Sequence, residues 1–205
     1  MEPGDSNPTI RTMETMRAIR DFKQDRVEDA KLREIFEAAV MAPSSSNSQP
    51  WEFVVVRDPE KKAAVGAIIS EKWHKLMDPN MESLPPDRRR LYEEVARLAD
   101  NTAKVPVLVL ACIDLNRASK SEEARYASIY PAVQNLMLAA WSLGLGTCLT
   151  THGCSPEHGE NEVKEILSIP EHIKVAALVY LGYPEGALSP PKRRALGAFV
   201  HNEGW

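Results

Sequence analysis

The chain has 205 residues, 43% of them hydrophobic, enough to bury one substantial core and to read as one domain. A formal net charge of −4 argues against a nucleic-acid binder, which carries a basic excess, and no apolar run approaches the ~18 residues of a membrane span. Three cysteines at irregular spacing, and a start, MEPGDSNPTI, without the basic and apolar regions of a secretory signal, point to a reducing, cytoplasmic setting.

Residues 1–8 are polar, with two prolines, and read as a mobile tail; residues 9–205 read as the domain. Residues 9–16 suit a short helix leading into Arg17-Ala18-Ile19-Arg20-Asp21-Phe22. Leu32, Ile35, Phe36, Ala39 and Val40 repeat at helical spacing, with Glu28 and Asp29 at the positive end of the macrodipole, and this helix should end at Met41. Pro43 fixes its own φ and pushes Ala42 out of the helical region. Pro50 launches residues 51–56 as an apolar strand. Between the two prolines sit Ser44, Ser45, Ser46, Asn47, Ser48 and Gln49, short side chains with many donors and acceptors and little bulk. Such a loop can run hydrogen-bonding groups along the edge of a flat heteroaromatic ring; the plainer reading is a solvated connector.

Asp58-Pro59-Glu60 opens a helix to about residue 75, with proline in a favoured first-turn position. Residues 76–90, with three prolines, read as an irregular loop before a helix from about Arg88 to Thr102. They form either a surface excursion or a mobile cover lined by Trp73, Met77, Met81 and Tyr92. Residues 105–114 read as a buried strand in which Cys112 is an inert thiol, and residues 119–125 as a charged connector. Ile129, Ala132, Val133, Leu136, Met137, Ala140 and Leu143 mark a strongly apolar helix, closed by Gly144 and suited to the core or a subunit interface.

Residues 144–151 read as a helix cap and a short strand. Their G-x-G closes a helix rather than opening one, so it is no dinucleotide fingerprint. Cys148, His152, Cys154 and His158 fit no familiar zinc spacing, and a strand would hold Cys148 and His152 ~13 Å apart, so no metal is expected. Residues 161–167 suit a helix and residues 173–183 the last long strand. Lys192-Arg193-Arg194 follow a Pro-Pro stop and by composition form a solvated turn. No Ser-His-Asp or Cys-His constellation stands out, and His152 is the nearest candidate for a proton donor.

The string APSSSNSQPWEFVVV, after the helix LREIFEAAVM, closely resembles the signature of the FMN-dependent nitroreductase family, and the resemblance runs from Met16 to the terminal VHNEGW. It implies an α+β fold, a central, mainly antiparallel sheet flanked by helices, in an intertwined homodimer. The C-terminal arm, residues 189–205, would be exchanged and add a strand to the partner's sheet. It also implies FMN, with Pro43, Ser44, Ser45, Asn47 and Gln49 beside the ring and Leu149, Thr150 and Thr151 approaching it. Arg17, Ala18, Arg20, Lys192 and Arg194 would stand at the phosphate, where guanidinium groups give paired, charge-assisted hydrogen bonds. Met16 and Ala18 depart from the family pattern, which commonly has an arginine and a serine there, so the remaining cations would carry more of the phosphate. The resemblance further implies NADH or NADPH as donor and a nitroaromatic, quinone or related electron-poor acceptor, served in a ping-pong cycle. The flavin rather than a protein residue would carry the chemistry. Reductive dehalogenation or flavin degradation, which the family also hosts, and a non-catalytic flavin-binding dimer are the alternatives.

Overall fold

Every second residue of the run 107–113 enters one core and the residues between enter another, as a strand covered on both faces requires. In the computed structural model, which describes residues 7–186, 191 and 193–205, this run is β2 (Val107–Asp114). β1 (Trp51–Val56) pairs with it on one side and β4 (Ile173–Gly182) on the other, both antiparallel. β3 (Gly146–Thr150) pairs antiparallel with the far side of β4, giving the order β1-β2-β4-β3. A bulge between Ala111 and Cys112 sharpens the local twist against β4. The edges of the sheet are therefore β1 and β3.

Val107, Val109, Ala111 and Ile113 pack with α2 (Asp29–Ala39) and α5 (Glu122–Ser142) on one face. Leu108, Leu110 and Cys112 pack with α3 (Pro59–Met77), α4 (Pro86–Asp100) and α6 (Glu160–Leu167) on the other. α1 (Pro8–Thr15) lies against α5, where the Trp141 indole N–H donates to Thr15 Oγ1 at 3.0 Å. Asn7 caps α1 by accepting from the Thr9 N–H, and Pro8 sits where its missing N–H costs nothing.

Two stretches differ from the sequence reading. α5 starts at Glu122, capped by the Ser121 hydroxyl, so most of the expected connector at 119–125 is helix. Its first turns carry charge on a solvated side, and the apolar repeat becomes visible only at Ile129. Residues 76–90 are not an irregular loop. α3 runs to Met77, a 3₁₀ turn covers Asp78–Ser83, and α4 begins at Pro86 rather than Arg88. Pro79 and Pro86 both occupy first-turn positions, so prolines that look like breakers here start new turns.

Candidate functional site

The segment 17–22 has no regular structure of its own and is held by the edge strand β3. The Ile19 N–H donates to the Thr147 carbonyl at 2.8 Å, and Ala18 forms a parallel bridge with Thr147. The approach is so close that a Cβ on Gly146 would fall 2.6 Å from Ile19 Cγ1, a contact only glycine avoids. Arg17, Ala18 and Arg20 thereby line a cleft of about 150 Å³ with Asp21, Glu94 and Glu185. Arg20 also lines an enclosed cavity of about 80 Å³ with Leu149, Thr150, Trp73 and His152. Of the expected ring and phosphate residues, Arg20, Leu149 and Thr150 are thus brought together, and Thr151 follows as an exposed residue. Arg20 Nη1 lies 3.6 Å from Glu94 Oε2, while its buried Nε has no acceptor among the described residues. A guanidinium with an unanswered N–H beside a cleft suits an oxyanion.

The residues read as a possible cover lining build a stack. Tyr92 lies on Trp73 with ring centroids 5.8 Å apart, and Trp73 meets His152 edge-on at 5.1 Å. His158 follows at 5.0 Å from His152. The His152 Nδ1 is buried without a partner among the described residues, and burial, with His158 alongside, holds its pKa below the usual value. The ring is then neutral near pH 7: it can donate one hydrogen bond but is a poor source of a proton. Burial also raises the Cys148 pKa and pushes Cys112 and Cys154 up to about 12, so these thiols stay protonated. Among the described residues no group of three or more His, Cys, Asp or Glu side chains could hold a metal ion.

The Pro-Ser loop is a strained 3₁₀ turn at Ser45–Asn47. Ser46, Asn47 and Gln49 have φ of 51°, 52° and 46°, and none is glycine. Left-handed backbone of this kind costs ~1–3 kcal/mol per residue and persists only where the surroundings enforce it. Here they do. The Ser44 hydroxyl accepts from the Gln49 N–H at 3.0 Å, and the Ser45 N–H donates at 3.0 Å to Ser128 Oγ on α5. Arg117 donates to the Gln49 carbonyl and pairs with Glu52 at 3.1 Å. Ser48 Oγ is buried without a partner among the described residues, whereas Pro43 and Asn47 are exposed. Ser44 therefore shapes the loop itself, and three side chains that sequence reasoning missed are visible: Ser128, Arg117 and Glu94. No local motif marks them; Ser128 is 83 residues from the loop it braces.

Within a single chain the loop and residues 149–151 do not lie beside one another. The loop runs into β1, whereas residues 149–150 lie on β3, three inter-strand spacings away or ~14 Å. The two also differ along the strands, since Pro50 is level with Asp114 but Thr150 is level, through Leu178, with Leu110. Four residues of rise bring the separation to about 20 Å, more than a three-ring heteroaromatic spans. Arg194 is not among the residues lining the Arg17–Arg20 cleft. Arg194 covers the Phe199 ring, 4.3 Å from its centroid, and Lys192 lies outside the described residues.

Among the described residues, apolar surface is exposed in a trough and in the C-terminal segment. A trough of about 540 Å³ between α1, α2 and α5 is lined by Thr12, Ala38, Met41, Leu138 and Ala139, and Met41 beside the Pro-Ser loop is 80% exposed. In the C-terminal segment Leu196, Phe199, Val200 and Trp205 are all exposed, and His201 stacks only on Trp205, 4.4 Å away.

The nitroreductase family profile matches residues 14–183 of this chain. An NADH dehydrogenase of Thermus thermophilus is 33% identical over 200 residues, covering 90% of each chain. Mouse iodotyrosine deiodinase 1 is 28% identical over 187 residues, 88% of this chain and 64% of its own. An FMN-dependent nitroreductase of Clostridium difficile shares the fold, with a TM-score of 0.74 at 21% identity over 96% of this chain and 99% of the other. The segment held by β3, the braced Pro-Ser loop and the sheet that separates them all lie within the matched span, and the chain belongs to the nitroreductase family.

Proposed function

We propose that the protein is a homodimeric FMN-dependent oxidoreductase that passes electrons from NADH or NADPH to an electron-poor acceptor such as a nitroaromatic or a quinone. The observation that carries this reading is the division of the site. The Arg17–Arg20 cleft and the Pro-Ser loop stand on opposite edges of one sheet, which supports a site assembled from two copies, one supplying the phosphate side and the other the ring side. A second copy of the chain, packed on the open trough of α1, α2 and α5, would bring its loop to the first copy's β3. The exposed C-terminal segment gives that copy something to hold.

The residues fit the cofactor. Arg17 and Arg20 would take the phosphate by charge-assisted hydrogen bonds, with the orphaned Arg20 Nε gaining its missing acceptor and Glu94 giving way. Asp21 does not compete for the same guanidinium, because Arg97 already holds it at 3.1 Å. Leu149, Thr150 and Thr151 would border the ring from one chain, and Ser45, Asn47 and Gln49 from the other. Ser44 would hold the loop that presents them. FMN, when bound, supplies the two-electron transfer between nicotinamide and acceptor. The Tyr92–Trp73–His152 stack gives the site an aromatic wall, which favours planar acceptors. His152, neutral, would orient a ligand rather than protonate it.

The test is an anaerobic turnover screen of the yellow protein with NADH and NADPH against a nitroaromatic, a quinone and an iodophenol. The iodophenol arm is there because of the similarity to mouse iodotyrosine deiodinase 1. Donor and acceptor using one face in turn give parallel double-reciprocal lines. Intersecting lines would exclude the shared face, and a colourless protein that takes up no FMN would exclude the cofactor.

A further inference from the structure

A second cationic cavity lies where β1 gives way to α3. It measures about 470 Å³ and is lined by Arg26, Arg57, Lys62 and Lys104, with Val27, Pro59, Pro106 and Val107 as a non-polar wall and no carboxylate. Pro59 is the first residue of α3, so the positive end of that helix adds to the charge. Asp29 pairs with both arginines, and Asp58 is engaged as the α3 cap, accepting from the Lys61 N–H at 2.9 Å. Among the described residues neither Lys62 nor Lys104 has a carboxylate partner.

Lys62 is the unusual member. It is only 7% exposed, and its ammonium, with three N–H groups, has one acceptor, the Val105 carbonyl at 2.7 Å. Burial pulls its pKa down, as expected for a cation without a counter-charge. Arg57 beside it has a buried Nε with no acceptor among the described residues. Unanswered donors on two cationic side chains of one cavity describe a site shaped for an anion.

We propose that this cavity binds a small organic phosphate, its oxygens meeting Lys62 and Arg57 and its non-polar body lying along Val27, Pro59 and Pro106. A carboxylate offers two oxygens, whereas a phosphate offers three and nearly two charges, closer to the donors present. None of these side chains belongs to the Arg17–Arg20 cleft, so the site stands or falls separately from the flavin reading.

The experiment is calorimetric titration of phenyl phosphate into the protein as purified, with unbound FMN removed and ionic strength fixed. Inorganic phosphate and phenol serve as comparison probes. Wild type should bind phenyl phosphate saturably and more tightly than inorganic phosphate, and phenol not at all. Arg20→Ala should leave that binding unchanged. The double variant Arg26→Ala/Lys104→Ala, at exposed positions, should weaken it at least ~tenfold. Lys62→Met, which keeps the length of a buried side chain, should abolish it; should that variant not fold, the exposed double variant decides. No saturable binding in wild type, an unchanged affinity in the double variant, or loss of binding in Arg20→Ala would each overturn the proposal. Equal affinity for inorganic and phenyl phosphate would overturn the part assigned to the non-polar wall.

Discussion

Arg20 is only partly engaged: Glu94 draws on one terminal nitrogen while Nε has no acceptor among the described residues. Arg20→Ala should therefore weaken FMN binding by ~1.5–3 kcal/mol, the range for hydrogen bonds to charged groups, as read by quenching of FMN fluorescence. Ala18→Ser should tighten it by about 1 kcal/mol, because Ala18 lines the same cleft and brings no polar atom to it. Ser128→Ala would leave the Ser45 N–H without its acceptor and should cost ~1–3 kcal/mol in denaturant unfolding. An unchanged midpoint in that variant would mean that the loop keeps its left-handed residues by other means. At this scale legibility follows distance along the chain. Arg20, Leu149 and Thr150 could be placed from their motifs. Ser128, Arg117 and Glu94 could not, because what makes each matter is a neighbour far away in sequence.

α3, the 3₁₀ turn after it and α4 are tied together by one imidazole. His74 Nδ1 meets Asp78 at 3.0 Å and Nε2 meets Asp100 at 2.9 Å, with the Ser70 hydroxyl also donating to Asp100. Hydrogen bonds to Asp78 and then Asp100 raise the His74 pKa above 6.5. A raised folded-state pKa contributes stability that is complete below the unfolded pKa and is lost as pH climbs through the folded one. The melting-temperature gap between wild type and His74→Gln should accordingly be widest below pH 6.5 and close as pH climbs through the raised folded-state pKa. A gap that is constant over that window would show that the tie is not electrostatic. Regular elements were legible where burial imposes a period, as in β2 and the later turns of α5. Residues 76–90 were not, because a chain of short turns, each started by a proline, has no long apolar repeat to read.

The sequence reading assigned the apolar run 129–143 to the core or to an interface, and the molecule divides it. Ile129, Ala132, Val133, Leu136 and Ala140 are fully buried against the sheet, while Leu138 and Ala139 line the open trough with Met41. Truncation after residue 194 removes Leu196, Phe199, Val200 and Trp205, most of the exposed apolar surface of the C-terminal segment. It should lower both the dimer fraction in sedimentation and the flavin retained through purification. A truncated chain that stays dimeric and fully yellow would show that this segment holds nothing. The need for a second copy in the proposed site was beyond the reach of the sequence, because the separation of β1 from β3 depends on the strand order, and no residue records that order locally.

On the proposed site, shared between two copies of the chain, that separation has a genetic consequence. A chain carrying Arg20→Ala is defective on the β3 side, and a chain carrying Ser128→Ala is defective on the loop side. Each homodimer has two damaged sites, but a mixed dimer concentrates both lesions in one site and leaves the other whole. Two impaired alleles expressed together should thus complement each other, restoring about a quarter of the wild-type sites when the chains pair at random.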